Sequence, residues 1–127
     1  MKRLAIAALL IAMLPLSAEA LASPTPTGTY TTTIKNPAAF KGTWVLNLAR
    51  EGTYMVDNGQ LRIRGKYTTT GTKIRFGHET GEGACAKTGT YTWKKTGKTL
   101  RFSRVSESPA CPGRSGVLAH TFTRRLR

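Results

Sequence analysis

The side chains able to do acid–base chemistry near neutral pH are few. His78 and His120 are the two histidines of the chain, and histidine is the side chain whose ordinary pKa lies in this range. His120 falls between Leu118 and Phe122 in a stretch predicted to be a strand. A packed or rim histidine is the favoured interpretation of that position.

The segment around the first histidine, residues 78–83 (HETGEG), could in principle offer a metal ion three ligands, His78, Glu79 and Glu82. Their spacing matches neither a helix face nor a strand face, and glycines interrupt the segment. We therefore interpret it as a solvated loop at the rim of the fold. No metal site and no cofactor are predicted.

Other catalytic patterns are missing from the sequence. No serine stands in a Gly-x-Ser-x-Gly elbow, the motif that presents a nucleophile in many hydrolases. No glycine-rich phosphate loop precedes a predicted helix. The prediction is that the protein is not an enzyme.

Aromatic side chains are the best candidates for a ligand site, because they alternate with polar residues and so share the inner face of predicted strands. In so small a domain the same residues could simply form the core, and both interpretations remain open. Tyrosine and tryptophan carry polar tips that suit the lining of a pocket. The candidate ligand-binding residues are Trp44, Tyr54, Tyr67, Phe76, Tyr91, Trp93 and Phe102.

Cations occupy the opposite, outward phase of the same strands. The chain carries 20 lysines and arginines against 6 acidic residues, a formal net charge of +14. Such a balance favours an anionic polymer or lipid as partner, although the cations could merely keep a small barrel in solution. Aromatics do not interleave with them, so nucleic acid is not expected. The candidate anionic-surface residues are Arg62, Arg64, Lys73, Arg75, Lys94 and Arg101.

Two related hairpins form the centre of the predicted fold. Residues 89–102 (GTYTWKKTGKTLRF) read as two alternating runs around a turn, and residues 65–76 (GKYTTTGTKIRF) are an earlier copy. Asn58-Gly59 is a strong hairpin signal, since both central positions of a type I′ turn need positive φ. The predicted strands are residues 42–49, 53–57, 60–64, 66–70, 73–77, 90–94, 99–102 and 117–124.

Eight short antiparallel strands with tight turns predict an all-β, up-and-down, eight-stranded barrel, because closure removes exposed sheet edges. A two-sheet sandwich is the main alternative. Residues 29–34 could add an edge strand, and no amphipathic helix is evident.

The N-terminus reads as a secretory signal peptide over residues 1–22. Lys2-Arg3 precede a short apolar stretch, and small residues follow at the spacing of a cleavage site. Residues 23–39 read as a Pro/Thr-rich linker and residues 40–127 as the barrel domain. The protein is expected to be exported, to a periplasm or out of the cell, and to be a monomer.

Cys85 and Cys111 predict one disulfide, since the chain is expected to be exported. If Trp93 pairs with Leu100, Cys85 falls three residues short of Cys111 across the extended ladder. The bridge would then clamp the open end of the hairpin.

The ordered motifs resemble a group of small exported bacterial lipocalin-like proteins of the calycin type. The resemblance covers residues 40–127 and includes Gly42-Thr43-Trp44, Glu51-Gly52-Thr53-Tyr54, Gly65-Lys66-Tyr67-Thr68, Ile74-Arg75-Phe76, Ala84-Cys85, Gly89-Thr90-Tyr91-Thr92-Trp93, Thr99-Leu100 and Cys111-Pro112-Gly113-Arg114. It implies that an arginine, Arg114 or Arg124, packs across Trp44 and closes one end of the barrel. The chain lacks the long first loop of larger lipocalins, so a small cavity is expected.

Two functions follow as hypotheses. In the first, an exported lipocalin-like barrel binds a small apolar or amphipathic molecule. In the second, a cell-envelope interaction module docks its basic exterior on anionic glycans or lipids. An inhibitor of secreted enzymes is a third option that no residue selects.

Overall fold

The fold is a closed barrel of eight antiparallel strands, in which each strand pairs with its sequence neighbours and β8 pairs with β1. The computed structural model describes residues 25–125. The strands are β1 Gly28–Ile34, β2 Gly42–Leu48, β3 Thr53–Asp57, β4 Arg62–Thr70, β5 Lys73–Thr80, β6 Gly89–Thr96, β7 Thr99–Ser106 and β8 Phe122–Arg124. A 3-10 helix, Ala38–Phe40, lies between β1 and β2, and α1, Pro112–Leu118, lies between β7 and β8. The predicted all-β barrel is confirmed.

Alternation along the strands produces the core. In β6 and β7 the inward residues Tyr91, Trp93, Leu100 and Phe102 are all buried, and the residues between them are more exposed. The same period-two pattern buries every second residue of β2. Since successive side chains of a strand point to opposite faces, one local pattern fills the barrel and leaves its polar residues outside.

The two ends of the barrel differ. Tight turns connect β2 to β3, β4 to β5 and β6 to β7 at one end, which we call the turn end. Here Tyr30 donates a hydrogen bond to Thr27 O, and Tyr67 donates one to Ala49 O. The longer connections, the 3-10 helix and α1 all belong to the other end, which we call the cap end. The α1 helix contacts β7 and the 3-10 helix. No helix of residues 25–125 is long and apolar enough to cross a bilayer.

Eight strands are predicted and eight are found, but they are not the same eight. Two predicted strands form one, one predicted strand is partly helical, and β1 lies in the predicted linker. The predicted strands 60–64 and 66–70 fall on one strand, β4, which begins only at Arg62. Its residues 62–66 pair with β3, and its residues 64–70 pair with β5. In the sequence Gly65 suggests a break between two strands, whereas in the structure the strand continues and its register with β5 shifts at this residue.

The prediction of a strand over residues 117–124 is wrong for its first half. Pro112–Leu118 is helical, and only Phe122–Arg124 forms a strand. Proline suits the first position of a helix because its missing N–H would have no partner there. Val117 and Leu118 are adjacent and both buried, which is compatible with a helix face but not with strand alternation.

The predicted linker over residues 23–39 is also corrected, because it contains β1. This strand pairs with β2 along seven residues and with β8 at Tyr30 and Thr31, so it closes the barrel rather than adding an edge. Tyr30, Thr32 and Ile34 are buried. The barrel therefore begins at about Gly28 rather than at residue 40. The predicted signal peptide, residues 1–22, lies outside the described residues.

The register of the central hairpin differs by two residues from the prediction. Trp93 lies opposite Phe102 rather than Leu100, and a further one-residue shift occurs between Thr90 and Tyr91. Continued at that final offset, the ladder places Cys85 opposite Cys111. The disulfide Cys85–Cys111 is confirmed, with 5.5 Å between the two Cα atoms. A disulfide is typical of proteins from oxidising compartments.

Candidate functional site

A cavity of about 190 Å³ lies at the cap end, between the barrel wall and its two short helices. We call it the cap pocket. Its wall is mainly apolar, and four of its apolar side chains, Phe40, Val56, Leu61 and Ile63, remain partly exposed. The lining residues are Ala39, Phe40, Trp44, Leu46, Tyr54, Val56, Asn58, Leu61, Ile63, Phe76, Glu79, Gly83, Gly113, Arg114, Val117 and Leu118.

One buried arginine and two buried carboxylates meet beside this pocket. Arg114 from α1 binds Glu107 through both Nε and Nη2, at 2.8 and 2.6 Å, and binds Glu79 through Nη1 at 3.0 Å. The three side chains are 5%, 1% and 4% exposed in the order Arg114, Glu107 and Glu79. Planar guanidinium and carboxylate groups match each other in such two-point contacts.

Two tyrosines and two backbone amides complete the group. Tyr54 donates a hydrogen bond to Glu79, and Tyr91 donates one to Glu107. The amide of Cys85 donates to Glu79 at 2.9 Å, and the amide of residue 108 donates to Glu107 at 3.1 Å. We call Arg114, Glu79, Glu107, Tyr54 and Tyr91 the cap cluster.

The surroundings of the cap cluster favour the charged forms of Glu107 and Arg114 and the neutral forms of its two tyrosines. Burial alone would raise the pKa of Glu107, but the hydrogen bonds from Arg114 and Tyr91 outweigh burial and hold that pKa below its ordinary value. Burial would lower the pKa of Arg114, and the two carboxylates instead raise it. Burial, followed by the hydrogen bond to Glu79, raises the pKa of Tyr54. Tyr91 likewise has a raised pKa, from burial and then Glu107.

Backbone irregularities near His78 turn the side chain of Glu79 inward. Simple alternation from Phe76 would place Glu79 on the outside. His78 has a φ of 52°, and this residue and Glu79 together oppose Gly65 at the register shift of β4 and β5. The extra residue reverses the phase, so His78 is exposed and Glu79 is buried.

Two glycines leave room for side chains of the cap cluster. A Cβ atom on Gly65 would lie 2.6 Å from the ring of Tyr54. A Cβ atom on Gly89 would overlap the carboxylate of Glu107. Gly65 and Gly89 begin the two related hairpins, so the sequence repeat supplies a glycine and a following glutamate twice, and Arg114 bridges the two copies.

The predicted aromatic residues divide into two groups. Trp44, Tyr54 and Phe76 line the cap pocket, and Trp44 Nε1 donates a hydrogen bond to Phe40 O at 2.8 Å. The other four predicted ligand-binding residues are buried but lie outside the pocket lining: Tyr67, Tyr91, Trp93 and Phe102. Among the described residues Trp93 Nε1 is a buried donor without an acceptor.

Of the two candidate barrel-closing arginines, Arg114 lies beside the cap pocket with Trp44 in the same lining. Its guanidinium is held by carboxylates. Arg124 is exposed in β8, opposite Tyr30 of β1. The stacking of an arginine on Trp44 stays a prediction.

The possible metal ligands are not brought together. His78 points away from the buried Glu79, and within residues 25–125 no group of three histidine, cysteine or acidic side chains is close enough to hold a metal ion.

The six candidate anionic-surface residues are all exposed. Arg62 makes an ion pair with Asp57 at 2.8 Å. Lys94 and Arg101 lie directly opposite each other on β6 and β7, and Lys73 and Arg75 occupy alternate positions of β5. Arg64 lies on β4 opposite Met55.

Sequence reasoning missed Glu107 entirely and assigned Glu79 to a solvated loop. The signal was the repeat itself, because each hairpin copy is followed within a few residues by a glutamate.

Comparison with protein-family models, with curated proteins and with solved structures found no match for this chain.

Proposed function

We propose that this protein is an exported, lipocalin-like binding protein that takes a small, mainly apolar molecule into the cap pocket and performs no catalysis. The observation that carries the proposal is the set of partly exposed apolar side chains around a cavity whose lining also includes Glu79 and Arg114. Ligand sites are typically apolar concavities with a few well-placed polar groups. The disulfide and the predicted signal peptide support export.

The size of the pocket limits the ligand. A volume of about 190 Å³ is below the roughly 300–1,000 Å³ of sites for drug-sized molecules. An apolar cavity of about 150 Å³ can hold benzene. A single ring or a short alkyl chain therefore suits the cap pocket, and a retinoid-sized ligand does not.

The cap cluster indicates the polar end of the ligand. Four of the five N–H groups of Arg114 donate to Glu107, Glu79 and the carbonyl of Lys87. The second N–H on Nη1 makes no further hydrogen bond to a carboxylate or carbonyl within residues 25–125, and its neighbour is the hydroxyl of Tyr54. Two carboxylates already surround the single guanidinium, so an added anion would be repelled. The ligand should carry a neutral acceptor, such as a hydroxyl or carbonyl oxygen, rather than a carboxylate.

Tryptophan fluorescence gives a direct test. Trp44 lines the pocket and Trp93 does not, so the W93F variant leaves one reporter at the site. We expect saturable changes with short-chain alcohols and single-ring phenols or aldehydes, and at least tenfold weaker binding of the matching carboxylates at pH 7. The absence of a saturable response to every neutral compound would contradict the proposal.

A matched pair of variants tests the location. Val56 lines the pocket, and Val45 is a similarly half-buried valine on the neighbouring strand that does not. V56F fills part of the cavity and should abolish binding, whereas V45F should preserve it. Equal affinities in the two variants would show that the ligand binds elsewhere.

A further inference from the structure

A second concave site lies on the outside of the barrel, separate from the cap pocket. This outer groove, about 300 Å³ in volume, is lined by Lys66, Thr68, Arg75, His78 and Thr88 around Gly77. Lys66 lies opposite Gly77, and Thr68 lies opposite Arg75. Because Gly77 has no side chain and β5 stops pairing with β6 at Phe76, the outer surface is hollow between two cations.

The cations of the groove are uncompensated. Lys66 and Arg75 are exposed, and neither makes an ion pair among residues 25–125. The groove lining contains no carboxylate, and the hydroxyls of Thr68 and Thr88 add hydrogen-bonding groups. Cations and hydroxyls around a hollow with no acid are the groups that bind sulfate or carboxylate oxygens.

The groove begins a line of cations across four strands. Arg75 and Lys73 are two residues apart on β5, a separation of about 6.7 Å. Lys73 pairs with Thr92 on β6, so Lys94 is its diagonal neighbour, at about 7–8 Å. Arg101 is directly opposite Lys94, at about 5 Å.

Lys66 is the diagonal neighbour of Arg75 at the other end of this line. We call Lys66, Arg75, Lys73, Lys94 and Arg101 the cation track. It is roughly 25 Å long by these spacings.

We propose that the cation track binds a linear acidic polysaccharide, with one sulfate or carboxylate group seated in the outer groove. A row of cations at similar intervals complements a chain with repeated negative charges. The outward phase carries no aromatic side chain to stack on bases, which argues against single-stranded nucleic acid. Val105 is the one large apolar residue in residues 25–125 that is strongly exposed, at 53%, so a bilayer would find little to bury.

The test compares two charge reversals of equal size in the oxidised protein. K66E/R75E changes the outer groove, and K35E/K41E changes two exposed lysines in the connection between β1 and β2. Binding of heparin oligosaccharides and of polygalacturonate is measured by calorimetry over a salt series. We expect K66E/R75E to weaken binding at least tenfold and to reduce the slope against log salt by about two. K35E/K41E should weaken binding less than threefold.

A third variant tests the groove without changing charge. Gly77 does not have a positive φ, and a Cβ atom there would lie 3.4 Å from Thr88 Oγ1, so G77V fits the backbone and fills the hollow. It should weaken binding at least threefold with an unchanged salt slope. Equal losses in the two charge-reversed variants, or full affinity in G77V, would overturn the proposal. Tighter binding to phosphatidylglycerol vesicles or to an oligothymidylate than to both polysaccharides would overturn it as well.

Discussion

Replacing Arg114 by methionine should reverse the pH dependence of stability. In the native protein Arg114 holds Glu79 and Glu107 at 3.0 and 2.6 Å, and all three side chains are at most 5% exposed. Removing one partner of a buried ion pair costs about 3–5 kcal/mol, because the remaining charge is left uncompensated. Here two carboxylates remain. The hydrogen bonds from Tyr54 and Tyr91 stay in place, so the middle of that range is expected at pH 7.

The two proteins should then respond to acid in opposite directions. The folded pKa of Glu107 lies below its ordinary value of 4.5, so its contribution is complete above about pH 4.5 and is lost as the pH falls below that. In R114M the burial that raises the pKa of Glu107 remains and the hydrogen bonds from Arg114 that lower it are gone, so we expect the folded pKa to move above the unfolded one. Between pH 7 and pH 5 we expect wild-type stability to stay nearly level and R114M stability to rise, by up to about 1.4 kcal/mol per pH unit for each proton taken up.

Urea unfolding followed by tryptophan fluorescence measures both stabilities, provided that the m-value is unchanged. Small domains have net stabilities of roughly 5–15 kcal/mol, so R114M remains measurable near pH 5 even if it is largely unfolded at pH 7. A triple variant, E79Q/E107Q/R114M, removes the charges and should recover most of the loss at neutral pH. A pH-independent loss in R114M, or a triple variant no more stable than R114M, would refute the reasoning.

Three further predictions concern packing and the disulfide. G113A should be neutral or stabilising by about 0.5–1 kcal/mol, since nothing lies within 4 Å of the added methyl group. G116A should be less stable than G113A by about 1–2 kcal/mol in urea unfolding, because its methyl group overlaps the Phe40 ring. W44F loses the hydrogen bond to Phe40 O, whereas W93F removes a buried donor without an acceptor. W44F should therefore be the less stable variant by about 1 kcal/mol in the same assay. The opposite order of stabilities would contradict this account. Reduction of the disulfide, which joins cysteines separated by 26 positions, should cost about 2–4 kcal/mol, measured by unfolding with and without reductant.

The strands and the core could be predicted from the sequence because their pattern is local. Trp93, Leu100 and Phe102 announce an inner face by their period of two, and they are buried as expected. The turn within residues 89–102 was recognisable, but the register of the hairpin was not, because a two-residue shift along the hairpin keeps the same alternation and changes only the partners. The prediction of the disulfide was unaffected by the wrong register, because it required only that both cysteines lie near the open end of the hairpin.

The cap end could not be predicted in the same way. The segment 112–118 has two glycines and little intrinsic preference for a helix, and its burial against the barrel decides its conformation. The inward turn of Glu79 depends on one residue, His78, in the left-handed region. Arg114 is 35 positions from Glu79, and no local pattern reports a contact over that separation.

By itself, therefore, the sequence determined the barrel class, the inner and outer faces, the bridge between Cys85 and Cys111, and the cations outside. These depend on side-chain alternation and composition, which neighbouring residues carry. The tertiary structure alone decided the cap pocket and the cap cluster beside it. Those features arise where a bulge reverses the phase of a strand and a short helix brings Arg114 against Glu79 and Glu107.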